Sequence, residues 1–76
     1  MEYVVVIHRS EEGGYWTEVP ALPGCFAQGE TLEQLLEEAQ GAIASHLDAL
    51  REAGQDVPQE RVIIATVQTP ELAKAS

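Results

Sequence analysis

The chain has 76 residues, of which 45% are hydrophobic, and thirteen acidic against four basic side chains give a net charge of −9. This length allows one domain. A surface this negative repels phosphate backbones, so we expect no direct nucleic-acid binding, whereas a basic protein partner would be attracted. A single cysteine excludes an internal disulfide. The first residues lack a basic stretch followed by an apolar core, and no apolar run approaches 18 residues, so we expect neither secretion nor membrane spanning. We therefore expect a cytoplasmic protein. The negative charge would suit a basic partner, but the needs of solubility account for it equally well.

The N-terminal third predicts a β-hairpin. Tyr3 to His8 are rich in valine and apolar on both faces, which is typical of a strand in the middle of a covered sheet. Residues 11–14 are polar and contain two glycines, so they predict the turn. Tyr15 to Val19 predict the returning strand.

A bend with two prolines follows the hairpin. Pro23-Gly24 fits the central pair of a type II turn, because glycine tolerates the positive φ of the second position. Cys25 to Gln28 then predict one short strand near a sheet edge, where nearby prolines are tolerated.

A long amphipathic helix is the clearest predicted element. Thr31 and Gln34 have the spacing of a capping box at its start, and Gly54 fits the left-handed position after its end. Between these signals, apolar or half-apolar residues recur at helical spacing: Leu32, Leu35, Leu36, Ala39, Ile43, His46, Leu47 and Leu50. The pattern predicts a helix from Thr31 to Ala53, about 33 Å long.

A last strand is predicted at Arg61 to Gln68, again apolar on both faces and ended by Pro70. We therefore expect an α+β fold of order β-β-β-α-β, with one four-stranded mixed sheet and the long helix on one face. A right-handed crossover places the last strand beside the first, in spatial order 3-2-1-4. The domain is expected to cover residues 1–70, with 71–76 as a short tail.

Two motifs carry a family resemblance: VPALPGC at residues 19–25, and GETLE at residues 29–33 where the helix starts. With them, most of the chain resembles the HicB family of antitoxins. The resemblance implies a truncated ribonuclease-H-like fold without nuclease activity, and binding to a small basic HicA-type toxin that cleaves mRNA. Many relatives carry a C-terminal DNA-binding segment. This chain ends six residues after Pro70, so operator binding is not expected.

Catalytic and metal sites find little support in the sequence. Two-metal hydrolysis needs several converging acids, but Tyr3 to His8 contain none, and Glu18 is the only strand acid near the middle of the chain. Cys25 has no basic neighbour to lower its pKa, and the histidines His8 and His46 are too few for a metal site. We therefore expect no enzyme, no cofactor and no metal. A metal-dependent nuclease stays a remote alternative.

Aromatic side chains are the most distinctive candidates for binding, since Trp and Tyr are enriched at interface hot spots. Because strand side chains alternate, Tyr15 and Trp16 cannot face the same way, so one of them faces away from the helix. The candidate partner-binding residues are Val4, Val6, His8, Arg9, Trp16 and Glu18. The sheet face opposite the helix would also carry alternate apolar side chains of Tyr3 to Ile7 and of Val62 to Val67, so a homo-oligomer, dimeric or larger, is predicted through that face.

The sequence therefore predicts an antitoxin of a type II toxin–antitoxin pair that binds and neutralises a HicA-type mRNA interferase. Two alternatives remain besides the nuclease. One is a non-catalytic homo-oligomeric scaffold, or orphan binding module, of the same fold. The other is a transcriptional regulator.

Overall fold

The computed structural model describes residues 1–70, in which three strands form an antiparallel sheet of order β1-β2-β3 and one helix packs across a face of it. The elements are β1 (Val6–Arg9), β2 (Tyr15–Glu18), β3 (Phe26–Gly29) and α1 (Leu32–Glu52). The predicted tail at 71–76 lies outside the described residues.

The β1–β2 connection is a tight turn that depends on two glycines. Gly13 and Gly14 have φ angles of 100° and 78°, which side chains other than glycine rarely adopt. The Ser10 N–H donates to the Gly14 carbonyl at 3.0 Å and closes the turn. This geometry brings Arg9 opposite Tyr15 and fixes the register of the hairpin.

The proline bend folds under the helix. The Cys25 N–H donates to the Leu22 carbonyl at 3.0 Å, and Gly24 between them has a φ of 87°, the positive value that the predicted type II turn requires. Val19, Leu22 and Cys25 are at most 4% exposed. The bend is therefore part of the hydrophobic core.

The helix begins and ends where the sequence predicts. The Thr31 hydroxyl accepts the Gln34 N–H at 3.1 Å, and the Gln34 side-chain oxygen accepts the Glu30 N–H at 2.7 Å. At the other end, Gly54 has a φ of 72° and its N–H donates to the Arg51 carbonyl at 3.0 Å. Both ends are capped, which satisfies backbone groups that the helix itself cannot pair.

The core lies between α1, the sheet and the proline bend. Its buried apolar residues are Val19, Leu22, Cys25, Leu35, Ala39 and Leu47. Thr17 in β2 is fully buried, and its hydroxyl donates to the Val6 carbonyl at 2.6 Å. At the end of β3, Gly29 lies so close to α1 that an added Cβ would be 2.7 Å from the Leu35 nitrogen. A glycine therefore permits the close approach of sheet and helix.

The predicted four-stranded mixed sheet of order 3-2-1-4 is wrong. Within residues 1–70 the sheet has three antiparallel strands, and β1 lies at an edge instead of in the middle. The expected last strand, residues 61–68, has no regular structure. Where it would begin, the Glu60 carboxylate accepts the Val4 N–H and the Val62 N–H, so these donors bond to a side chain and not across a ladder. Beyond this point the segment is exposed.

Candidate protein-binding face

The face of the sheet turned away from α1 carries two rows of side chains. Residues paired across an antiparallel sheet point the same way, and the fully buried Thr17 marks the face toward the helix. The other face is formed by Val6 and His8 from β1, Trp16 and Glu18 from β2, and Phe26 and Gln28 from β3. These six residues are called the open face below.

Two aromatic residues dominate the open face. Trp16 is 37% exposed and Phe26 is 59% exposed, and Val6 beside them is half-buried. Large exposed aromatic residues grouped on one surface are typical of an interaction site. The open face is therefore the first candidate for a protein contact.

The Trp16 ring is held in place by His8. The two rings stack with centroids 4.1 Å apart and an angle of 14° between their planes. The His8 Nε2 atom is shielded from solvent and has no hydrogen-bond partner among residues 1–70; the Glu18 Oε1 atom is 3.8 Å away. Stacking restricts the Trp16 side chain before any partner arrives, which lowers the entropy cost of binding.

An acidic groove lies at one end of the open face. It runs from Trp16 and Gln28 to the β1–β2 turn and the start of α1, and Glu12 and Glu30 line it. Two carboxylates beside an exposed indole can bind a lysine or arginine side chain through ion pairs and a cation–π contact.

Most of the predicted binding residues come together. Val6, His8, Trp16 and Glu18 share the open face, and Val4 lies just before β1, where its N–H donates to Glu60. Arg9 does not share this face. Its row contains Tyr15 and Gly29, on the side of the helix. The alternation that separates Tyr15 from Trp16 is confirmed, with Trp16 on the outer side.

Sequence reasoning missed the contribution of β3. Phe26 and Gln28 belong to the open face, and neither was among the predicted binding residues. The alternation of buried Cys25 with exposed Phe26 could have indicated this, because β3 is short but still has the period of a strand.

The Cys25 thiol and the residue types that could bind a metal were the other candidates for chemistry. Cys25 is 4% exposed, and burial raises the pKa of its thiol, which disfavours the nucleophilic thiolate. Among residues 1–70, no three His, Cys, Asp or Glu side chains are grouped to hold a metal ion. No helix in that part of the chain is both long and apolar enough to cross a membrane.

A small acidic α+β domain with exposed aromatic residues on one sheet face has the features of a protein-binding domain. A family model described as the HicB-like antitoxin of bacterial toxin–antitoxin systems matches residues 3–76, so the chain belongs to the HicB-like antitoxin family. The UPF0150 protein Ta0767 of Thermoplasma acidophilum is 37% identical over 67 residues, which are 88% of this chain and 97% of the relative.

One further relative is named an antitoxin, and one similar chain comes from a solved toxin–antitoxin complex. Antitoxin HicB 1 of Photorhabdus laumondii is 34% identical over 58 residues, covering 76% of this chain and 37% of its own. A chain in the solved structure of a HicA3 and HicB3 toxin–antitoxin complex has a TM-score of 0.65 and 33% identity, covering 76% of this chain and 66% of the other. This chain thus spans just under two thirds of the matched chain in that complex, and a smaller share of the Photorhabdus antitoxin.

Proposed function

We propose that the protein is a cytoplasmic, non-enzymatic antitoxin that binds and neutralises a small basic HicA-type toxin. Membership of the HicB-like family supports this role, and a related structure is a toxin–antitoxin complex. The observation that carries the proposed contact is the pre-stacked Trp16 on the open face of a strongly acidic chain.

The open face suits a basic, RNA-cleaving partner in two ways. Trp16 and Phe26 supply an apolar centre, and the groove with Glu12 and Glu30 supplies negative charge beside it. A toxin that cleaves RNA needs a positive surface for phosphates. Acidic groups that cover this surface compete directly with RNA, which is a simple mechanism of neutralisation.

A second candidate function is a homo-oligomeric scaffold of the same fold. The exposed apolar residues support self-association, and we propose that the protein is a homo-oligomer whether or not a toxin is bound. Hydrolysis is not favoured by the geometry: within residues 1–70 the acids do not gather into a metal-binding group, as two-metal chemistry requires.

The test takes as candidate toxin a small basic protein encoded in the gene next to that of this chain. Purified toxin should cleave RNA, and added wild-type protein should stop the cleavage at a stoichiometric ratio. Trp16→Ala and Phe26→Lys should each weaken inhibition, because they remove the apolar centre of the contact. If the wild-type protein neither binds the toxin nor relieves growth arrest on co-expression, the proposed function is wrong.

A matched control separates lost contacts from lost folding. Leu32→Ala removes a similarly exposed apolar side chain, 48% exposed, from the helix instead of the open face. Its inhibition should equal that of the wild type. Circular dichroism of each variant checks that the helix and sheet remain.

A further inference from the structure

The segment after Val62 is the least buried apolar part of the described chain. Ile63, Ile64 and Val67 are 90%, 69% and 87% exposed, although RVIIATVQ at residues 61–68 has the two-sided apolar pattern of a covered strand. The chain is correspondingly elongated. Its Cα radius of gyration is 15.9 Å, whereas a compact chain of this length has about 11 Å. Within the described chain, the apolar side chains of this segment are therefore not covered by their own protomer.

The outer edge of β1 could pair with such a strand. Within residues 1–70, β1 has a strand neighbour on one side only. On the side facing the helix, Ile7 is 40% exposed and Leu36 of α1 is 51% exposed. An open groove between α1 and the residues before β1 is lined largely by Tyr3, Val5, Leu36, Ala39 and Ile43. A strand added at this edge would direct alternate side chains into the groove.

We propose that two copies of the chain form a two-fold dimer by strand exchange, in which residues 62–67 of each copy pair with β1 of the other. Each segment leaves its protomer beside Tyr3 and Val4, next to the start of β1. Two-fold symmetry therefore brings each segment to the same edge of the partner, and the contact is reciprocal. Six residues extend about 20 Å as a strand, enough to follow β1 and the residues just before it.

The charge distribution is compatible with a second copy as the occupant. Two chains of net charge −9 repel each other, so a self-contact must avoid carboxylates. All thirteen acidic residues lie outside residues 3–9 and 61–70, and each of these two segments carries one arginine. The exposed segment and the free strand edge can therefore meet without added repulsion between carboxylates.

Contact through the open face is the competing arrangement for a dimer. That contact was predicted from apolar side chains that a fourth strand would add to the open face. The observed face ends at β1 and includes the polar Glu18 and Gln28. Strand exchange uses the sheet edge and leaves the open face free. The dimer specifies the interface of the homo-oligomer proposed above, does not depend on toxin binding and is tested without any toxin.

The first experiment compares Ile63→Lys with Phe26→Lys by sedimentation equilibrium at micromolar concentration. Both side chains are exposed in the protomer, at 90% and 59%, so neither change disturbs its core. The wild type should have the mass of a dimer. Ile63→Lys should raise the dimer dissociation constant by at least about tenfold, and Phe26→Lys should leave it unchanged. A monomeric wild type, or the opposite order of effects, would overturn the proposal.

A second experiment uses the native sequence and decides the case in which Ile63→Lys fails to fold. Chains with different isotope labels are mixed, unfolded and refolded together, and filtered NMR spectra then detect only contacts between copies. Contacts between residues 62–67 of one copy and β1 of the other are expected. Contacts of this segment with β1 that are present in unfiltered spectra but absent from the filtered ones, or no such contacts in either, would contradict strand exchange.

Discussion

The Glu60 carboxylate accepts the backbone N–H of Val4 at 2.6 Å and joins the chain that follows the helix to the residues before β1. The same carboxylate accepts the N–H groups of Val62 at 2.8 Å and Arg61 at 3.0 Å. These hydrogen bonds favour the charged form, and the Val4 bond contributes most to lowering the pKa of Glu60 below its ordinary value of 4.5. Glu60 therefore holds together two segments far apart in sequence.

Glu60→Gln should destabilise the protein at neutral pH, because an amide nitrogen cannot accept the N–H that one carboxylate oxygen accepts. A carboxylate whose pKa is lowered by folding adds stability above its unfolded pKa and loses that contribution as the pH falls through the folded pKa. The difference in the free energy of unfolding between wild type and variant should thus be largest at neutral pH and decrease below about pH 4.5. Urea unfolding at a series of pH values measures it.

Glu37→Gln is the control for this titration. Glu37 is exposed on α1, so removing its charge should leave the pH dependence of the wild type in place. Equal stability of Glu60→Gln and wild type at neutral pH would show that the carboxylate does not anchor the segment.

Replacing glycine with alanine should have opposite effects on stability at two positions. Gly29→Ala would place a Cβ 2.7 Å from the nitrogen and 2.9 Å from the Cα of Leu35, so sheet and helix must move apart. We expect a loss of about 1–3 kcal/mol in the free energy of unfolding. In Gly41→Ala, within α1, the added Cβ has no neighbouring atom within 4 Å outside the nearby helix backbone. This change should add about 0.5–1 kcal/mol to the free energy of unfolding. Chemical denaturation at one fixed protein concentration compares them, and an equal sign for both would be inconsistent with this packing.

The thiol of Cys25 should react slowly in the native protein. The side chain is 4% exposed, and burial raises its pKa, so both access and the thiolate fraction are low. A thiol reagent at about pH 8 should modify Cys25 at the rate of unfolding or local opening. The same reaction in denaturant gives the reference rate. Comparable rates with and without denaturant would mean that the proline bend does not bury the cysteine.

Local signals explain which parts of the fold could be predicted. The helix bounds follow from Thr31, Gln34 and Gly54, whose roles depend on neighbours a few residues away. The turn at Gly24 likewise needs only its own backbone geometry. The open face was predicted in part because alternation fixes that Trp16 and Tyr15 point to opposite sides, whatever lies across the sheet.

Pairing between distant segments could not be predicted in the same way. The apolar pattern of residues 61–68 is that of a covered strand, but a pattern does not specify which chain covers it. Glu60 was also missed as an anchor, because its bond to Val4 spans 56 positions in the sequence. Alternation could have indicated the face on which Phe26 lies, but its place beside Glu18 depends on the register of the β2–β3 pair.

Charge near Trp16 should contribute to toxin binding beyond its effect on net charge. Glu12 and Glu30 line the groove beside Trp16, whereas Glu33 and Glu38 are exposed on α1 and do not line it. Replacing either pair with glutamine changes the net charge of −9 by two units, to −7. Long-range attraction of a basic toxin should therefore decrease equally in the two double variants.

Glu12→Gln with Glu30→Gln should weaken the complex more than Glu33→Gln with Glu38→Gln. Two exposed ion pairs contribute about 0.2–1 kcal/mol each, so the dissociation constant should rise by about 2- to 30-fold beyond the control. The excess should shrink as salt is raised above about 0.15 M, because ions screen exposed charges. Surface plasmon resonance with immobilised toxin measures both variants across a salt series. If the two double variants bind alike at every salt concentration, the groove makes no direct contact, and the acidic residues act only through the overall charge.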